Sequence, residues 1–314
     1  MAAGLVCIGL TTLDVVVRPV DRLPEGEATL LVEGIEIVPA GTACGAAMVA
    51  ARLGMDVALV GAIGDDRKGR FLRLALEETG VDPSLLAVLR ERATSTTVLP
   101  VDSEGRRPAL HALGAGHFLQ LGPSATAAAK QARFVHWGGV GLPYLEGGAG
   151  ADLLAQAKAE GAIVTCDLIS PQPGALEELK RLLPHVDFFM PSATEALGLT
   201  GQASLPAAAE AFLSLGAGAV IIKNGAAGSY LALGDQRLTL PAHAITPVDT
   251  TSCGDSYCAG FIAALDRGAS PVEAARFATS VAALVAQGLG TLGKLESYEA
   301  AEAAMRETPL NEVA

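Results

Sequence analysis

The chain has 314 residues, half of them hydrophobic and 36 of them glycine, which is enough for one sizeable α/β domain with an appendage, or for two domains, and too apolar for a disordered chain. A formal net charge of −12 argues against nucleic acid or an anionic membrane as a main partner, since both need clustered Lys and Arg. Five cysteines without paired CxxC spacing indicate neither a disulfide framework nor a zinc site, and with no basic leader and no apolar run near the roughly 18 residues of a membrane span, the expected setting is the reducing cytoplasm.

In chain order, the first apolar run, 5–10, reads as a strand, and Asp14 follows it in Gly9-Leu-Thr-Thr-Leu-Asp14, where an isolated Asp is usually a turn former. Small residues at 40–47, Ala-Gly41-Thr42-Ala-Cys-Gly45-Ala-Ala, would let a ligand approach the backbone closely. A helical pattern at 46–53, a strand at 57–60 and a helix at 71–79 follow. Two stretches, near 14–40 and 94–118, read as strands and a hairpin without crossover helices; they fit a small separate sheet or a pair of long edge loops. The rhythm then resumes with strand 134–137, helix 153–160, strand 163–167, helix 176–183, strand 188–190, helices 194–199 and 205–215 and strand 220–223. Alternation of this kind predicts βαβ units and a mainly parallel sheet covered on both faces.

Three later segments carry polar candidates. Pro191-Ser192-Ala-Thr-Glu195 has the spacing of a capping box. Lys223-Asn224-Gly225-Ala-Ala-Gly228 reads as a turn after an apolar strand, and Thr279 falls in a helical pattern at 274–286. Most informative is 246–264, where Asp249-Thr250-Thr251-Ser252-Cys253-Gly254-Asp255 runs into an apolar helix. Unpartnered N–H groups and the macrodipole make such a helix start an anion seat. Asp255, in its first turn, could take the proton of an alcohol attacking a phosphoryl group, or could simply be a capping residue.

That segment resembles the C-terminal signature of the ribokinase-like (PfkB) carbohydrate and nucleoside kinases, Asp-Thr-Thr-Gly-Ala-Gly-Asp, with Ser252 and Cys253 as departures. Residues 40–47 with Leu53-Gly54 and Val60-Gly-Ala-Ile-Gly64-Asp65-Asp66 resemble the family's N-terminal signature, with Ala40 for a Gly and Gly45 for a sugar-contacting Asn. The resemblance, over roughly 4–295, implies one domain spanning 1–314, a three-layer α/β/α ribokinase-like fold with a mainly parallel sheet, and a small β-sheet lid from 14–40 and 94–118. It implies Asp255 as catalytic base and an anion hole at Ser252, Cys253 and Gly254. The sugar would meet Asp14, Gly41, Thr42 and Gly45, and ATP the loop Lys223, Asn224, Gly225 and Gly228, with Thr279 near the adenine. Glu195 would organise Mg²⁺ through water, K⁺ at Asp249 and Thr251 is a candidate monovalent cation, and a homodimer through the lid is a candidate assembly.

Other catalytic motifs fail. Gly288-Leu-Gly-Thr-Leu-Gly293 fits GxGxxG but leaves 21 residues, too few for a dinucleotide-binding βαβ unit. Gly254-Asp-Ser256-Tyr-Cys258 approaches a hydrolase elbow, yet His111, His117, His136, His185 and His243 all precede Ser256, against the order of that triad. No GxxxxGK[ST] loop occurs. The expected function is therefore ATP-dependent phosphorylation of a hydroxymethyl group on a small ribose-, fructose- or keto-deoxy-sugar-like carbohydrate. A ribonucleoside acceptor or a non-catalytic sugar or nucleotide sensor are the alternatives.

Overall fold

The computed structural model describes residues 3–145, 148–168 and 173–312. The strands are β1 (Leu5–Gly9), β2 (Thr12–Arg18), β3 (Gly34–Ala40), β4 (Val57–Gly64), β5 (Val81–Asp82), β6 (Leu86–Leu89), β7 (Thr96–Pro100), β8 (Leu110–Ala112), β9 (Phe134–Val140), β10 (Ile163–Leu168), β11 (Phe188–Phe189), β12 (Ala219–Lys223), β13 (Ser229–Leu233) and β14 (Gln236–Leu240). The α-helices are α1 (Thr42–Arg52), α2 (Arg67–Glu78), α3 (Pro123–Gln131), α4 (Ala149–Ala159), α5 (Ala175–Leu182), α6 (Ala193–Thr200), α7 (Leu205–Ser214), α8 (Cys253–Asp266), α9 (Pro271–Ala286) and α10 (Tyr298–Glu307).

Ten strands form one sheet in the order β14-β13-β12-β11-β10-β9-β1-β4-β5, with β6 also pairing β4. Every pairing from β12 to β5 is parallel, and β13 and β14 add an antiparallel edge. The central strand β1 shows why both faces are covered. All five of its residues are buried, and alternation sends Leu5 and Cys7 into one core while Val6 and Ile8 enter the other. On the first face lie α1, α8, α9 and α10, contributing Met48, Phe261, Val281 and Tyr298; on the second, α4, α5 and α7 contribute Leu153, Leu179 and Phe212. The result is a three-layer α/β/α architecture. Gly260 lets α8 pack closely on α9: a Cβ there would stand 3.0 Å from Val281 Cγ2 and 3.1 Å from Ala278 Cα, tighter than most side-chain contacts.

A second, four-stranded sheet has the order β3-β2-β7-β8. Only Leu10 and Thr11 separate β1 from β2, so the chain steps from the central strand directly into this small sheet and returns from β3 through Gly41 into α1. That passage brings Asp14 and Thr42 to the carboxyl edge of the main sheet, where open α/β sheets bind ligands. The stretches near 14–40 and 94–118 are thus a sheet rather than loops.

The alternation read from sequence stops at 223, whereas the structure continues into the hairpin of β13 and β14. Leu233 pairs with Gln236 across the two-residue turn Gly234-Asp235, with Gly234 at φ 53°. Helices α3 and α10 also lie outside the predicted elements; Ala-rich α3 has weak periodicity, whereas α10 is clearly amphipathic, with Tyr298 and Ala301 facing the core.

Candidate active site

The site is a cavity of about 640 Å³ at the carboxyl ends of β1, β10 and β12, roofed by the small sheet and walled by α8 and α9. It is built from three groups of residues.

The first group is the start of α8. Residues 249–255 form a tight loop because Asp249 Oδ1 accepts from Thr251 N at 2.8 Å and Thr251 Oγ1 at 2.6 Å, while its Oδ2 accepts from Gly290 N at 2.9 Å. Both Asp249 oxygens are therefore engaged in holding the loop, and Thr251 lines the cavity. Ser252 takes a left-handed φ of 54° and starts the helix. Cys253 N reaches Thr250 O at a long 3.4 Å, and among the described residues the N–H groups of Gly254 and Asp255 find no acceptor, leaving donors at the positive end of a 14-residue helix. Asp255 stands beside them, and burial, with the nearby Asp167 charge second, pushes its carboxyl up to about 7.

The second group faces it from the main sheet. Asp167, at the end of β10, lies in the cavity wall and accepts from Lys223 Nζ at 2.6 Å. Burial is the largest influence on Lys223 and opposes its charge, but Asp167, Cys258 and Glu195 together outweigh it and hold the ammonium above its ordinary range. The same nitrogen lies 3.5 Å from Gly254 O, tying β12 to the first turn of α8. Glu195 completes the group. Ser192 N and Oγ donate to its Oε2 at 2.8 and 2.7 Å, and its own N–H donates to Ser192 Oγ at 3.3 Å, a complete capping box. Glu195 also lines the cavity, and burial, then the Asp167 charge, raises its pKa. Capping and cavity duties coexist in one side chain.

The third group comes from the small sheet and α1. Asp14, on β2, is 7% exposed and accepts from Thr12 Oγ1 at 3.2 Å; burial raises its pKa, opposed by the Thr97 and Thr12 hydroxyls. Gly41 has φ 100°, and a Cβ would stand 2.6 Å from Leu10 O, so only glycine allows this entry to α1. Thr42 lines the cavity, but its hydroxyl is committed to Gly138 O at 2.5 Å. Gly45 lies behind Asp255 rather than in the cavity wall: a Cβ there would fall 2.7 Å from Asp255 Oδ2.

Far from Asp14, the wall is Gly225, Ala226, Gly228, Thr279, Ala282, Ala283 and Ala286, an apolar slot with little side chain in it. Asn224 is not part of that wall; its N–H closes the loop onto Gly228 O at 2.7 Å. Lys223 is turned toward Asp167 and the α8 turn, not along its own loop. Asp167, Arg107 and Asn311 are among the wall residues that the sequence did not point to. Asp167 was signalled only by being an acid at the end of an apolar parallel strand. Arg107, whose Nε donates to Thr250 Oγ1 at 3.1 Å, and Asn311, whose Nδ2 donates to Ala226 O at 2.9 Å, carry no local signal; both reach the cavity from remote segments.

Among the described residues, no cluster of three or more His, Cys, Asp or Glu side chains forms a metal cage. Glu195 and the Lys223-paired Asp167 instead line one edge of the cavity, and a hydrated divalent cation needs few protein carboxylates.

The model of the pfkB family carbohydrate kinases matches residues 2–297. A nucleoside kinase of Methanothermobacter thermautotrophicus is 27% identical over 293 residues, 91% of this chain and 90% of that protein. A ribokinase of Haemophilus influenzae is 27% identical over 290 residues, 90% of this chain and 92% of its own. Among solved structures, Arabidopsis thaliana ribokinase complexed with ribose and ATP superposes with a TM-score of 0.81 at 24% identity, covering 98% of this chain and 99% of that one.

Proposed function

Because the chain belongs to the pfkB family of carbohydrate kinases, phosphotransferases with an alcohol group as acceptor, we propose that it transfers the γ-phosphoryl group of ATP to a hydroxymethyl group of a small carbohydrate. The observation that carries this reading is one continuous cavity with a buried carboxylate at the small-sheet end, an apolar slot at the other, and the start of α8 with Asp255 among its lining residues. The acceptor sits under the small sheet with a hydroxyl bonded to Asp14. The adenosine lies in the slot by Gly225, Gly228 and Thr279.

Asp255 removes the hydroxyl proton, and its elevated pKa, about 7, matches it to that task near neutral pH. The donors at the first turn of α8 face the charge that builds on the transferred phosphoryl oxygens; they are backbone groups, fixed before reaction, and cost no reorganisation. Lys223 holds Asp167 and the Gly254 carbonyl in place, so the hole keeps its shape. Mg²⁺, when bound with ATP, neutralises phosphate charge, and Glu195 and Asp167 are the residues that would hold it through water. The small sheet shields the acceptor from water that would otherwise compete for the phosphoryl group.

A ribonucleoside acceptor is the second reading, favoured by the likeness to a nucleoside kinase over nine-tenths of both chains. An ADP-release assay with ATP and Mg²⁺ over pentoses, hexoses, keto-deoxy acids and nucleosides separates the two. Activity on a nucleoside alone would replace the carbohydrate reading, and no ADP release with any acceptor would refute catalysis.

A further inference from the structure

Ser252 is, among the described residues, the only non-glycine with a positive φ, 54°. Side chains tolerate that left-handed conformation poorly, whereas glycine enters it freely. A serine at a helix start is usually there to cap, yet its side chain makes no hydrogen bond to the N–H groups of α8. The ordinary reason for the residue is missing.

Its hydroxyl lies elsewhere. A Cβ at Gly45 would stand 3.2 Å from Ser252 Oγ and 2.7 Å from Asp255 Oδ2, so the hydroxyl and the carboxylate share the hollow that Gly45 leaves between α1 and α8. Ser252 is 9% exposed and lines the cavity. Its own carbonyl is tied down by Ser256, whose Oγ donates to it at 2.6 Å and whose N–H donates at 2.8 Å, so the backbone that carries the hydroxyl is fixed. The Ser252 hydroxyl also works against burial at Asp255, favouring the ionised form of that carboxylate.

We propose that Ser252 is a positioning residue for the base: its hydroxyl, seated in the hollow opposite Gly45, is placed to donate to the Asp255 carboxylate and to hold it aimed at the acceptor. The inference rests on the reading of Asp255 as the base. Gly45 and Ser252 then form a unit. Any side chain at 45 displaces one of the two polar groups, so an asparagine at that position disturbs the base instead of adding a sugar contact.

The test uses Ser252→Gly, Ser252→Ala, Gly45→Ala and Asp255→Asn in the full chain, with ADP release measured on the best acceptor across pH 5 to 9 and thermal unfolding measured alongside. Ser252→Gly removes the hydroxyl and relieves the left-handed strain, so its midpoint of unfolding should equal or exceed that of the parent. Its kcat should nevertheless fall by roughly tenfold, the loss of one charge-assisted hydrogen bond. The acid limb of its pH profile should move upward, since a carboxylate deprived of a donor is harder to ionise. Ser252→Ala should repeat both kinetic effects, and Gly45→Ala should lower kcat more than it raises the acceptor KM. A Ser252→Gly enzyme with unchanged kcat and an unmoved acid limb overturns the proposal. An active Asp255→Asn enzyme shows instead that the base has been misassigned, a failure of the underlying reading that the serine variants alone would not produce.

Discussion

Replacing Lys223 by methionine removes the cation from a buried pair while keeping most of the side-chain volume. The Lys223 and Asp167 side chains are 11% and 4% exposed, and the nitrogen and oxygen are 2.6 Å apart. At an effective dielectric near 20 that separation corresponds to about 6 kcal/mol of attraction, most of it offset by the cost of taking both ions out of water. The net worth of the pair is therefore small, but removing one partner strands the other. Lys223→Met leaves Asp167 uncompensated, with Glu195 and Asp255 in the same cavity wall. The expected loss of stability is about 3–5 kcal/mol, a large share of the roughly 5–15 kcal/mol that holds a domain together. Adding Asp167→Asn should return much of it, giving a coupling of at least about 2 kcal/mol in a double-mutant cycle. Guanidinium unfolding of the parent, both single variants and the double variant measures this directly. A Lys223→Met cost below about 1 kcal/mol, with additive single effects, would mean that the pair behaves like an exposed surface bridge and that the site is not organised around it.

Other expectations follow from the same residues. Since Asp255 must be ionised to accept a proton and its pKa is about 7, kcat/KM should be level above neutrality and fall tenfold per unit below it; an acid limb near the ordinary 3.8 would contradict the environment described. The same shift has a stability sign: the folded state keeps a proton that the unfolded chain has lost between 3.8 and about 7, so this group's contribution weakens as pH rises through that window, and Asp255→Asn should flatten the slope. Asp14→Ala should lower kcat/KM on the best acceptor by roughly tenfold to hundredfold, the worth of hydrogen bonds to a charged group, and an unchanged value would leave Asp14 a purely structural residue. Glu195→Gln should raise the Mg²⁺ needed for half-maximal rate more than the acceptor KM; a drop in thermal stability with an unmoved Mg²⁺ curve would limit Glu195 to its capping box.

The layers of the main sheet were legible because strands such as 5–10 and 163–167 are short apolar runs flanked by helical patterns, and periodicity is a local property. The start of α8 was legible for a related reason: a run of small and polar residues leading into an apolar helical pattern is a signal carried by consecutive positions. Asp167 was hidden because its role depends on Lys223, 56 positions away, and nothing in Thr-Cys-Asp-Leu distinguishes an ion-paired acid from a strand-end acid. Gly45 illustrates a different limit. Read along the chain, it is a missing contact; in three dimensions its lack of a side chain makes room for Asp255 and Ser252. The edge hairpin of β13 and β14 escaped because the βαβ rhythm gives no warning that the last two strands turn back antiparallel.

If this cavity carries out phosphoryl transfer with Asp255 as base, Asp255→Asn should separate catalysis from folding and binding. The variant keeps size and most hydrogen-bonding capacity, so thermal unfolding and ATP affinity should stay near those of the parent. ADP release on the best acceptor should drop by roughly two to four orders of magnitude, the range for a positioned acid–base group. A folded, ATP-binding Asp255→Asn protein that still turns over within a few-fold of the parent would contradict the account.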